Sequence, residues 1–169
     1  MTSPRLILMG VSGCGKSTVG HSLAQRIGVP FLEGDALHPA RNVALMAAGT
    51  PLTDVDRADW LDAIAARLSG LSPEEGLVVS CSALKRAYRD RLRASTTDVR
   101  FVHLHGTPAV LFARLRERQG HYMPATLLDS QLATLEMPSP DEAVLTLDMT
   151  QPVHRLVAQI EHTLDQHTA

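Results

Sequence analysis

Eight residues, Gly10-Val11-Ser12-Gly13-Cys14-Gly15-Lys16-Ser17, fit the pattern G-x-x-x-x-G-K-[ST], with Thr18 directly behind them. Glycines at this spacing let the backbone wrap closely round a polyphosphate, so that successive N–H groups and a helix N-terminus point at it. Lys16 is then placed to reach the β- and γ-phosphates, and the Ser17 hydroxyl to ligate Mg²⁺. The flanks agree with this chemistry. A short aliphatic run, Leu6-Ile7-Leu8-Met9, precedes the loop, and apolar residues at helical spacing (Val19, Leu23, Ala24, Ile27) follow it. Strand, glycine loop and helix in that order predict a nucleoside triphosphate site.

Two carboxylates follow the next apolar run, Phe31-Leu32, as Glu33 and Asp35. Residues two apart in an extended segment face the same way, so both are expected to enter one cleft. There one can support hydrated Mg²⁺ and the other can accept a proton from a substrate hydroxyl. The third apolar run ends in Ser80-Cys81-Ser82 with no carboxylate, and the chain has no Asn-Lys-x-Asp guanine reader. Both absences argue against a motor or a switch GTPase. Positive charge is available from Lys85 and Arg86, and from Arg114 and Arg118, four apart and so expected on one helical face. Phosphoryl transfer needs such charge near the moving group and a lid that excludes water. The polar, glycine-containing stretch from Arg118 to Ser130 is expected to be that lid. His103 and His105 read as packing or rim residues, and no His/Cys spacing suggests zinc.

The elements that must carry these residues alternate. A first helix is expected to stop at Ile27-Gly28, ahead of Pro30, and another to start near His38-Pro39 and close at Gly49. Thr53 with Asp56 three residues on reads as the start of a helix presenting Trp60, Leu61, Ile64 and Leu68. Leu77-Val78-Val79 is expected to be a strand, followed by a helix over about Ala83 to Arg93. Arg100 to Leu104 gives a fourth strand, Thr107-Pro108 opens a helix, Val144 to Leu147 gives a fifth strand, and Gln151-Pro152 opens the last helix. Short, nearly all-apolar strands alternating with helices predict an α/β fold with a buried parallel sheet and helices on both faces. Ligands in such sheets bind beyond the carboxyl ends of the strands, where the residues singled out above fall.

Composition narrows the class further. A chain of 169 residues with 44% hydrophobic content suits a single globular domain over residues 1–169. A net charge of −2 argues against nucleic-acid binding. No apolar run approaches the roughly 20 residues that span a bilayer, and the N-terminus lacks a signal-peptide layout. Two cysteines, Cys14 and Cys81, make no disulfide framework, which points to a reduced cytoplasm.

Longer motifs carry a resemblance. They are Glu33-Gly34-Asp35-Ala36-Leu37-His38-Pro39 with Asn42, Pro51-Leu52-Thr53-Asp54-Val55-Asp56-Arg57 with Trp60-Leu61, and Ser80-Cys81-Ser82-Ala83-Leu84-Lys85-Arg86 with Tyr88-Arg89-Asp90. Arg118-Gln119-Gly120-His121 and Ser130-Gln131 with Thr134-Leu135-Glu136 complete the set. Over nearly its whole length the chain resembles the gluconokinase family, small phosphate-loop kinases related in fold to shikimate and adenylate kinases. The resemblance implies a P-loop NTPase fold with sheet order 2-3-1-4-5, a homodimer, and the reaction ATP plus D-gluconate giving ADP and 6-phosphogluconate. It also distributes roles. Lys16, Asp35 and Arg118 are the expected catalytic residues, with Asp35 the base. Gly10 to Thr18, Arg114 and Pro152 are expected to bind nucleotide, and Ser17 and Glu33 to hold Mg²⁺. Asp35, His38, Arg41, Arg57, Lys85 and Gln131 are the expected sugar-acid contacts. Departures are few: Glu33 stands where many relatives have Asp, Thr150 replaces an acid, and Tyr122 replaces a Phe of the lid. A kinase of another small hydroxy acid, shikimate-like, uses the same frame, but shikimate kinases show a glycine triplet where Ser80-Cys81-Ser82 stands. A non-catalytic nucleotide-binding module is disfavoured by intact Lys16, Ser17 and Asp35.

Overall fold

The computed structural model describes residues 3–118 and 124–167. Five parallel strands form one sheet in the order β2-β3-β1-β4-β5, the order the resemblance implies. They are β1 (Arg5–Met9), β2 (Phe31–Glu33), β3 (Leu77–Ser80), β4 (Val99–His105) and β5 (Leu145–Asp148). The helices are α1 (Lys16–Ile27), α2 (Ala40–Ala47), α3 (Asp54–Ser69), α4 (Arg86–Arg93), α5 (Pro108–Glu117), α6 (Ala125–Thr134) and α7 (Val153–Gln166). Because β1 lies between β3 and β4, both faces and both edges are covered. Leu6, Ile7, Leu8 and Met9 are accordingly almost wholly buried. That is why this strand reads as an unbroken apolar run.

Helix ends follow local chemistry. Thr53 and Asp56 make a reciprocal capping box at the start of α3, and Thr107 caps α5 ahead of Pro108. Gly28 takes the left-handed conformation that ends α1. Three expectations need correction. The helix after β3 begins only at Arg86, because Ala83 has φ +44 and Lys85 is extended, so the segment Cys81–Lys85 is a loop. Asp35 is not extended but sits in a 3₁₀ turn, Gly34–Leu37, so the alternation argument placing it beside Glu33 fails. Arg118 lies just past α5 with extended backbone, and so does not share a helical face with Arg114. Of the lid expected over 118–130, residues 119–123, including His121 and Tyr122, lie outside the described residues, and residues 125–130 open α6. Among the described residues no helix is long and apolar enough to cross a membrane.

Candidate active site

The phosphate loop joins β1 to α1. Gly15 precedes α1 with φ +97, a conformation side chains resist, and it turns the loop so that the α1 N-terminus faces inward. Val19 N–H bonds Gly15 O at 3.0 Å, which leaves the N–H groups of Lys16, Ser17 and Thr18 as the orphan donors every helix start presents. Thr18 itself is exposed, whereas Val11 and Cys14 pack into the core beneath the loop. Lys16 Nζ donates to Gly10 O at 3.0 Å and Val11 O at 3.1 Å, folded over the loop it serves. Ser12 N–H donates to Gln131 Oε1 at 2.7 Å, so α6 is tied directly to the phosphate loop.

Glu33 ends β2 opposite Ser80 of β3 and takes a hydroxyl from each side. Ser17 Oγ donates to Oε2, and Ser80 Oγ donates to Oε1 at 2.5 Å. The approach of β2 to β3 requires glycine next. A Cβ at Gly34 would stand 2.0 Å from Ser80 O, while Gly34 O accepts the Trp60 indole N–H at 2.8 Å. The backbone then turns and delivers Asp35, whose carboxylate is 69% exposed, into a cleft lined also by Ser12, Lys16, His38, Arg57 and Gln131.

His38 is fixed on three sides. Its ring stacks on Trp60 with centroids 4.3 Å apart, and its side chain is only 4% exposed. Asn42 Nδ2 bonds Asp56 O at 2.8 Å, which sets that amide as donor, and it also lies 3.2 Å from His38 Nδ1. Nδ1 is therefore the acceptor nitrogen and Nε2 carries the proton, 3.9 Å from Asp35. Burial lowers the His38 pKa below its ordinary value, opposed by Asp35 and aided by Arg57, so the ring is neutral near pH 7. Arg57 is buried and donates to Tyr88 Oη at 3.1 Å. Tyr88 in turn donates to Asp54, which Lys85 also grips at 2.9 Å.

The remaining expected residues divide. Arg114 bonds Met149 O at 3.1 Å and passes beside Gly15, bridging the loop after β5 to the phosphate loop. Pro152 is exposed at the start of α7, and Arg118 is exposed at the end of α5. Arg41 pairs with Asp59 on the surface at 2.8 Å, and neither it nor Lys85 lines the cleft. Arg86 points away to Asp141. His103 is buried with its pKa lowered to about 4, and His105 is exposed, as packing and rim residues are. Burial pushes the Cys81 thiol up to about 12 and so leaves it inert.

Trp60 was expected only as core, yet it lines the cleft and holds His38. Met46, Pro51 and Leu52 also line the cleft without having been singled out for it, together with Ser82 from the stretch after β3 and Leu127 and Ser130 from the expected lid. The largest unexpected feature is ionic. Arg89, fully buried, holds Glu142 through two bonds of 2.7 and 3.0 Å. It also donates to Ala83 O, Leu84 O and Glu136 O. One guanidinium thus fixes the loop after β3 to the segment leaving α6.

Residues 12–163 match the family model described as shikimate kinase. A gluconokinase from Gluconobacter oxydans is 52% identical, with 83% of this chain and 79% of that protein aligned. The thermoresistant gluconokinase of Escherichia coli is 44% identical over 90% of this chain and 88% of its own. The crystal structure of a gluconokinase from Sinorhizobium meliloti superposes with a TM-score of 0.86 at 44% identity, covering 99% of each chain.

Proposed function

The chain belongs to the shikimate kinase family and, within it, to the gluconokinases, and we propose that it transfers the γ-phosphoryl group of ATP to the primary hydroxyl of D-gluconate. The observation that carries the reading is the convergence of the phosphate loop, Asp35, His38 and Arg57 on one cleft. The backbone from Ser12 to Ser17 and the α1 N-terminus hold the phosphates, and Lys16 neutralises charge that spreads over the γ-oxygens as the bond loosens. In this reading Arg114, which bridges the phosphate loop to the loop after β5, flanks the nucleotide together with Pro152. Asp35 accepts the proton of the attacking hydroxyl and orients its oxygen in line. Neutral His38 offers Nε2–H to an oxygen of the sugar acid, and Arg57 supplies the cation that a carboxylate substrate requires.

Ser17 and Glu33 present a hydroxyl and a carboxylate, hard oxygen donors that fit Mg²⁺, and these two residues would hold it. Bound there, the ion would neutralise β- and γ-phosphate oxygens. Gln131 ties α6 to the phosphate loop, and we take the segment 118–130 as a lid over the nucleotide. The same reading makes the protein a cytoplasmic homodimer, which light scattering on the eluting peak tests. The function itself is tested by coupled ADP release over a panel of sugar acids and shikimate. Turnover with gluconate and not with shikimate is expected, and ADP release with neither would overturn the proposal.

A further inference from the structure

We propose that a second cleft, at the amino ends of the strands and away from the phosphate loop, binds a small amphipathic carboxylate anchored by Arg100. Its origin lies in strand register. β5 begins with Leu145 opposite Val102, so the first three residues of β4, Val99 to Phe101, run past the start of β5 with no strand beside them on that side. The gap is roofed by Ile160, Thr163 and Leu164 on one stripe of the last turns of α7 and by His167 just beyond its end. Its cavity volume is about 210 Å³, and it is open to solvent. Its apolar walls are Leu6, Phe101, Leu145, Ile160 and Leu164.

Charge decides the ligand class. Arg100 lines the cleft, yet its Nη1 is shielded from solvent and has no hydrogen-bond partner among the described residues. Arg100 as a residue is half-buried, but a guanidinium nitrogen shielded from water is ordinarily paired, and a carboxylate matches the fork geometry of arginine. Arg93 stands at the same cleft with its guanidinium 4.7 Å from the Phe101 ring centre. The facing acid, Glu142, is already taken by Arg89 and Arg93. Arg93 is itself paired with Asp90 at 2.9 Å as well as with Glu142, so Arg100 is the cation lining the cleft that has no ion pair among the described residues. A small ligand with one carboxylate and an apolar body meets both requirements. A phosphate alone would leave the walls unfilled, and an alcohol would leave Arg100 unmatched.

The test is calorimetric titration of the full chain with octanoate, with octanol and inorganic phosphate as comparisons. Octanoate is expected to bind one site with a dissociation constant on the order of 100 µM, the affinity about ten heavy atoms ordinarily give. Saturating ATP analogue and gluconate should leave that binding unchanged, because the site is not the catalytic cleft. Arg100→Gln should weaken it at least about tenfold. Thr163→Trp, at a half-buried position on the same stripe, fills the cleft from the α7 side and should abolish binding, which keeps the test open if Arg100→Gln does not fold. No binding of octanoate, equal binding of octanol, phosphate binding as tight as octanoate, or displacement of octanoate by gluconate would each overturn the proposal.

Discussion

Arg89→Met removes the cation from an ion pair whose two side chains are 0% and 1% exposed. Glu142 keeps Arg93 at 3.1 Å and the Ser139 amide at 2.9 Å, but loses its two shortest arginine bonds. Three carbonyls, of Ala83, Leu84 and Glu136, lose a charged donor at the same time. Breaking a buried pair from one side costs about 3–5 kcal/mol, because a desolvated charge is left poorly compensated. The Glu142 pKa is held down at about 2 against an ordinary 4.5, first by the Arg89 hydrogen bonds and then by the Ser139 amide and Arg93, so the charged pair stabilises the fold. The folded pKa lies below the unfolded one, so this stability is complete above pH 4.5 and is lost as the pH falls toward about 2. Urea unfolding at neutral pH should therefore show Arg89→Met less stable by about 3–5 kcal/mol, with a midpoint temperature lower by about 6–20 °C. Arg89→Met combined with Glu142→Leu should lose less than Arg89→Met alone, and should flatten the acid limb. A loss below about 1 kcal/mol in Arg89→Met at neutral pH would refute the reasoning.

Gly34→Ala drives a Cβ to 2.0 Å from a backbone oxygen that cannot retreat without parting β2 from β3. A loss of at least about 2 kcal/mol in urea is expected, and wild-type stability would contradict it. Lys16→Ala should lower turnover at least about 10²-fold with circular dichroism unchanged, since it removes charge stabilisation and no core contact. His38 should titrate in ¹H–¹⁵N spectra below its ordinary 6.5, staying neutral at pH 7, and a pKa above 6.5 would contradict the burial argument. Hydrogen exchange across α6 should slow when nucleotide and gluconate are both present, and equal rates would count against a closing lid.

The parts of this molecule fixed by local chemistry were legible in the chain. The phosphate loop, the Thr53–Asp56 box, the Gly28 stop and the all-apolar β1 each depend on neighbours within a few residues. Strand order was not among them, since periodicity cannot say which strands are adjacent, and it came from the family resemblance instead. Asp35 was found for a partly wrong reason. Alternation assumed an extended segment, but the contact of Gly34 with Ser80 O turns the chain into a 3₁₀ turn, a constraint set 46 residues away. Lys85 and Arg86 looked alike as cations after β3. The structure sends one to Asp54 and the other to Asp141, partners no local pattern reveals. Arg89 read as one more charge on a helix, and only burial by distant segments makes it the hub of the loop.

Asp35 is the proposed base for the sugar-acid hydroxyl at this cleft. The direct measurement is single-turnover phosphoryl transfer to gluconate by wild type and Asp35→Asn, with the product followed by ³¹P and ¹³C spectra. Wild type should phosphorylate the primary hydroxyl, and Asp35→Asn should be slower by about 10²–10⁴ with ATP binding nearly unchanged. Phosphorylation of another oxygen, or a single-turnover rate in Asp35→Asn within a few-fold of wild type, would contradict it.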